Sequence, residues 1–161
     1  MYAFAFESFH HMTPDTLYAL LKLRMDIFVV EQECAYPELD DQDQQATHLI
    51  VRNESGQIVG CLRIYNHPTK GLAIGRVAVH RTHRSVGLAK QMMEKAMDYL
   101  QEKATIYLQA QAHLEGFYGS FGFETVSEPY LEDDIPHVDM QFYAKDSKKD
   151  FTSSKDEPMN K

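Results

Sequence analysis

Two short stretches of this 161-residue chain carry residue types that could do chemistry together. In Arg84-Ser85-Val86-Gly87-Leu88-Ala89, an arginine stands three positions before a glycine and a small residue follows two further on. Small residues let a bound group approach the backbone, and a helix opening there would present unpaired N–H donors to an anion. A diphosphate is the natural occupant. The second stretch is Phe117-Tyr118-Gly119-Ser120-Phe121-Gly122-Phe123. Its phenylalanines suit core packing, but Tyr118 adds a hydroxyl whose ordinary pKa is about 10. Near a thiolate leaving group, whose pKa is about 8.5, that hydroxyl is a competent proton donor.

The elements that must position these groups follow from periodicity. Ala73-Ile74-Gly75-Arg76-Val77-Ala78-Val79 reads as a buried strand leading into the turn. Beyond it, Ala89, Met92, Met93, Ala96, Met97 and Leu100 form one apolar helical face. ATIYLQAQ is the next strand, so the strand–helix–strand order predicts a right-handed crossover and parallel strands. A short helix from His113 to Ser120, closed by Gly122, would carry Tyr118.

Upstream, YAFAFESF alternates as a strand, and Thr13-Pro14-Asp15 starts a helix with Thr13 as N-cap. Leu17, Leu20, Leu21, Met25 and Phe28 give that helix its apolar face, and it is expected to end near residues 28–30. HLIVR and QIVGCLRIY flank Asn53-Glu54-Ser55-Gly56 as a hairpin, and a third strand over 72–79 completes an antiparallel meander. FETVSEPY and HVDMQFY are the last two strands, joined by an acidic turn. The expected class is α/β (α+β): a mixed, mostly antiparallel central sheet with one parallel strand–helix–strand unit. Residues 1–143 read as one domain, and the polar run 144–161 as a disordered tail.

Composition narrows the function. A net charge of −8 argues against nucleic-acid binding and favours a cationic partner. Cys34 and Cys61 follow no zinc or redox spacing and have no local base, which predicts a reducing cytoplasm and no cysteine nucleophile. His80 and His83 lack neighbouring carboxylates, so no metal is expected. His113 suits a helix contact or packing better than catalysis. Neither a signal peptide nor a membrane span is predicted. There is no Walker loop and no Rossmann fingerprint.

An apolar strand, R-x-x-G-x-A opening a helix, then a strand and a short helix ending FYxxxGF together resemble the GNAT acyl-CoA N-acyltransferases. LKLRMDIFVVEQECAYPELDDQD, IGRVAVHRTHR, YLQAQAHLEGFYGSFGF and YLEDDIPHVDM narrow the likeness to the ElaA-type branch, over residues 17–143. The resemblance implies acetyl-CoA as co-substrate. Val77 and Val79 would bind its pantetheine arm, and the backbone of Arg84, Ser85, Val86, Gly87, Leu88 and Ala89 would cradle its diphosphate. Tyr118 would protonate the departing thiolate. An N–H near Val77 would polarise the thioester carbonyl. Two positions depart from the family: Gln111 stands where an asparagine commonly contacts CoA, and Ser85 replaces the usual glycine after the arginine.

The acceptor side rests on fewer residues. An amine nucleophile must lose a proton, and Glu31, within FVVEQ, is the first candidate base. A salt bridge at the helix end is the alternative for Glu31. The acidic run 31–45 is either a wall that holds a cationic amine or a solvated, partly helical loop. Glu132, Asp133, Asp134 and His137 could form a second wall. The expected activity is transfer of acetyl to a primary amine, small or peptidic, by direct attack in a ternary complex, with a homodimer possible. Arg24 and FVVEQ also resemble acyl-homoserine-lactone synthases, the alternative enzyme; a non-catalytic CoA-binding module is the alternative from another class.

Overall fold

Thr13 and Pro14 start the first helix as their residue types require: Thr13 Oγ1 accepts the Thr16 N–H at 3.1 Å. The structure is a computed structural model and describes residues 1–101 and 104–144. The expected tail lies outside the described residues except for Ala144, which is buried. By density of contacts the chain divides into two units, Met1–Ala96 and the segment from Met97 onward.

The first unit contains β1 (Ala3–Ser8), α1 (Pro14–Arg24), β2 (Thr47–Arg52), β3 (Ile58–His67) and β4 (Gly71–Val79). These strands pair antiparallel in the order β1-β2-β3-β4. α1 passes directly into a π-helical segment, Met25–Glu31, so the helical run ends one residue past the expected 28–30. Its buried stripe is not the expected one. Leu20, Leu23, Arg24 and Ile27 are buried, whereas Met25 is exposed. A charged Arg24 on the inner face misleads a hydrophobicity pattern, which assigns every arginine to solvent. Leu20, Leu23 and Ile27 pack with Ile50, Ile58, Cys61 and Ala78 into one core cluster.

α2 (Leu88–Leu100) buries Leu88, Met92, Met93, Ala96 and Met97, close to the expected face. Gly60 on β3 lets Met92 of this helix come close, since a Cβ there would lie 3.0 Å from Met92 Sδ.

The second unit contains β5 (Ile106–Gln111), α3 (Glu115–Gly119), β6 (Glu124–Thr125), β7 (Tyr130–Glu132) and β8 (Ile135–Phe142). β8 pairs antiparallel with each of β5, β6 and β7. Ile106, Leu108 and Ala110 stand opposite Phe142, Met140 and Val138, and all six are buried. The alternate positions, Tyr107, Gln109 and Gln111, pair with Gln141, Asp139 and His137 on a polar face. FETVSEPY is two short strands rather than one. The acidic turn contracts to Asp133 and Asp134, with φ of 52° and 65°, the left-handed pair that a two-residue hairpin uses.

Candidate active site

β4 carries the first feature of the site. Arg63 pairs with Gly75 and Cys61 with Ala78, so Arg76 and Val77 together oppose Leu62. This is a β-bulge, which re-aims the strand and unpairs part of its ladder. Arg76 sits in it at φ 52°, a left-handed conformation that a non-glycine residue keeps only when its surroundings impose it. Its guanidinium supplies the hold: Nε donates to Glu38 Oε2 at 2.8 Å and Nη2 to the Glu38 carbonyl at 2.8 Å. Val77 is the other residue of this bulge, and the resemblance places the thioester beside its backbone.

Glu38 belongs to the acidic run, and three of that run's carboxylates, Glu38, Asp40 and Asp43, turn inward to buried arginines, while Glu31, Glu33 and Asp41 stay at the surface. Arg24, only 1% exposed, donates from Nε to Glu38 Oε2 at 2.7 Å and from Nη1 to Asp43 Oδ1 at 2.8 Å. Arg63, also 1% exposed, donates to Asp40 Oδ2 at 2.5 Å and to Asp43 Oδ1 at 3.0 Å. The Tyr36 hydroxyl donates to Glu38 Oε1. Burial alone would raise the Asp40 carboxyl, but the Arg63 hydrogen bond and charge, with Arg76 behind them, bring it down to about 2. His48 is buried, which lowers its imidazole from the ordinary value, and its Nε2–H donates to the Asp43 carbonyl at 3.0 Å. One sequence signal points here: Arg63 interrupts an otherwise apolar strand, GCLRIY, and a charge at such a position must be paired.

The turn after β4 is built by Arg84. Its Nε donates to the Val79 carbonyl at 2.9 Å, and Nη1 and Nη2 donate to Glu31 Oε2 and Oε1 at 2.6 and 2.9 Å. The guanidinium thus folds back onto the strand end and leaves the turn itself to the backbone. Ser85 takes φ 66° and Gly87 φ 79°. Ser85 adopts the conformation of the glycine it replaces, at a cost of about 1 kcal/mol. The first helical hydrogen bond is Gln91 N–H to the Gly87 carbonyl at 3.1 Å, which leaves the N–H groups of Leu88, Ala89 and Lys90 without an intrahelical acceptor. Val86 projects into solvent beside them. These donors can hold a diphosphate by main-chain contacts alone.

Glu31 is therefore in an ion pair. The Arg84 hydrogen bond, more than burial opposes it, holds its carboxyl below the usual range. Both oxygens are taken, so the salt-bridge alternative describes Glu31 better than the base. His80 accepts the Thr82 N–H at 3.2 Å, and His83 Nδ1 lies 2.9 Å from the Tyr2 hydroxyl. Among the described residues no His, Cys, Asp or Glu grouping could hold a metal, and no helix is long and apolar enough to cross a membrane.

In the second unit Tyr118 lies on α3 and is buried, its ring edge-on to Phe117 at 5.0 Å. Burial pushes its hydroxyl up to about 12, so it is protonated at neutral pH. Phe123 is core, packed on Phe142 at 5.8 Å. Gln111 ends β5 half-buried opposite His137. His113 and the turn acids Glu132, Asp133 and Asp134 are exposed. Cys61 is no nucleophile, because burial lifts its thiol to about 12.

Comparison with known proteins accounts for this arrangement. Residues 24–144 match the family described as "Acetyltransferase (GNAT) domain". Protein ElaA of Escherichia coli is 37% identical over 142 residues, 83% of this chain and 93% of ElaA. The ElaA crystal structure matches with a TM-score of 0.82 at 34% identity, over 88% of this chain and 99% of that one. An acyl-CoA N-acyltransferase from Pseudomonas aeruginosa matches with a TM-score of 0.80 at 39% identity, over 88% and 99% of the two chains. BjaI, a CoA-dependent acyl-homoserine lactone synthase, shares the fold at 20% identity, with a TM-score of 0.75 over 96% of this chain and 89% of its own. By these matches the chain belongs to the GNAT acetyltransferase family, in the branch that contains ElaA.

Proposed function

We propose that the protein transfers an acetyl group from acetyl-CoA to a primary amine by direct attack in a ternary complex, in a reducing cytoplasm. The observation that carries this reading is the turn at residues 84–89. Its arginine is tied back to Val79 and Glu31, and its backbone donors are free for a diphosphate.

The donor supplies a thioester whose C–S bond breaks as the amine's C–N bond forms. Val77 and Val79 align the pantetheine arm along β4, and the N–H groups from Ser85 to Ala89 hold the diphosphate, with Gln111 as a further contact. A Val77-region N–H, aimed by the bulge, stabilises the carbonyl oxygen as negative charge grows on it, a contact worth about 3 kcal/mol. Of the ammonium's two protons that are lost, one goes to water before attack. The other is balanced by the proton that Tyr118 donates to sulfur and recovers from solvent.

The test is thermal shift with acetyl-CoA, paired with thiol release over a panel of amines. Stabilisation by acetyl-CoA with amine-dependent thiol release is the expected result. Stabilisation without release from any amine would leave a CoA-binding module. A lactone formed from S-adenosylmethionine and an acyl donor would instead favour the synthase reading.

A further inference from the structure

The polar face of the second unit holds a hydrogen-bonded cluster that the acyl-transfer step does not use. Asp139 Oδ1 accepts two hydroxyls, Tyr107 at 2.7 Å and Tyr130 at 2.5 Å. Gln109 Nε2 donates to the Tyr130 oxygen at 2.9 Å, which commits the Tyr130 proton to Asp139. The Asp139 backbone is clamped on both sides: its N–H donates to Ser127 Oγ at 2.9 Å and its carbonyl accepts the Val126 N–H at 2.9 Å. The Tyr130 ring stacks on His137, centroids 6.3 Å apart and planes at 25°. Burial and the bond to Asp139 raise both tyrosines, Tyr130 to about 12, so each stays a donor to the carboxylate.

Both hydroxyls converge on Oδ1. Oδ2 of this half-buried carboxylate, beside two aromatic rings, is left for a donor from outside. An alkylammonium fits that environment by charge-assisted hydrogen bonding. With Oδ1 committed to two hydroxyls, Oδ2 is the position suited to hold a charged nitrogen at one end of an acceptor whose other amine reacts. We propose that Asp139 Oδ2, framed by Tyr107 and Tyr130, binds a second, charged amine of the acceptor, which makes the acceptor a di- or polyamine. This rests on the acyltransferase reading and gives it a substrate class. Tyr107 and Gln109 lie on β5, which runs through the turn Ala112–Leu114 directly into the helix of Tyr118. An α-amino acid, which would bring its own carboxylate toward Asp139, is disfavoured.

Titration of the protein with 1,4-diaminobutane, followed by amide NMR and calorimetry, tests this without requiring turnover. Shifts centred on Tyr107, Gln109, Tyr130, His137 and Asp139 are expected. Asp139→Asn keeps the shape and an acceptor for the tyrosines; it should weaken the diamine about ten-fold or more and leave acetyl-CoA affinity unchanged. Tyr130→Phe, which retains the carboxylate, should weaken it about three-fold or less. Shifts centred elsewhere, or equal affinity in wild type and Asp139→Asn, overturn the proposal. If Asp139→Asn fails to fold, the wild-type shift map decides alone. Diamine bound at Asp139 without any thiol release would retain this site and sink the acyltransferase reading. Thiol release with an unchanged diamine KM in Asp139→Asn would do the reverse.

Discussion

Arg84 and Glu31, 53 positions apart, close a two-pronged ion pair that fastens the end of the π-helical segment to the turn after β4. The pair is partly exposed, 38% and 34%. Its worth is accordingly about 1 kcal/mol or less. It acts by fixing the turn whose backbone would meet the diphosphate.

Glu31→Gln should therefore raise the acetyl-CoA dissociation constant a few-fold, about two- to five-fold, and leave the acidic limb of the rate profile in place. The Glu31 carboxyl is depressed, so the pair persists above its unfolded pKa and is lost only as pH falls through the lowered value. Acetyl-CoA affinity measured by calorimetry should be the same at pH 5 as at pH 7. A large fall in turnover, with an acidic limb displaced by the substitution, would return Glu31 to the role of base.

Arg76 gives a sharper test of the bulge. Arg76→Ala loses the Glu38 bonds and still carries a Cβ at φ 52°, whereas Arg76→Gly loses the bonds but relaxes the backbone. Both should fold less stably. Turnover should fall further in the alanine variant, by several-fold relative to glycine, because the Val77 N–H keeps its aim only where the bulge survives. Equal turnover in the two variants would detach the bulge from the chemistry.

What could be read from the sequence was what is local in it. RSVGLA, FYGSFGF, the Thr13 cap and the Asn53–Gly56 hairpin each lie within a few residues, where geometry follows from type and spacing. The buried charges do not. Arg63 meets Asp40 across 23 positions, and nothing in the spacing of the acidic run distinguishes a carboxylate turned inward from one in water. The α1 stripe was misplaced for the same reason, since Arg24 is buried by partners 14 and 19 positions away. Tyr107 and Asp139 meet only through strand register, 32 positions apart.

The ion cluster sets the acid stability. Asp40, depressed from 3.8 to about 2, contributes stability that is present above its unfolded value and lost as pH falls toward 2. The shift corresponds to about 2 kcal/mol. Asp40→Asn should lower stability at pH 7 by roughly that amount or more, since Arg63 loses a partner, and should flatten the dependence between about pH 4 and pH 2. Urea titrations at stepped pH would measure both. Parallel curves for the two proteins over that interval would show that Asp40 is not the group responsible.

In the proposed reaction Tyr118 is the proton donor to the leaving thiolate. Its pKa is raised to about 12 by burial, so the neutral form is stabilised in the folded protein. That stability is fully present below the unfolded value near 10 and is lost as pH rises through 12. The hydroxyl thus remains a donor across the usual assay range, and an alkaline limb below pH 10 cannot be its titration. Tyr118→Phe should lower kcat about a hundred-fold with acetyl-CoA affinity nearly unchanged, because the ring stays packed on Phe117 and only the proton donor is removed. With an aryl thioester donor, whose thiolate leaves without protonation, the same substitution should cost far less. A deficit of equal size for both donors would mean that the hydroxyl positions the acyl group instead of protonating sulfur.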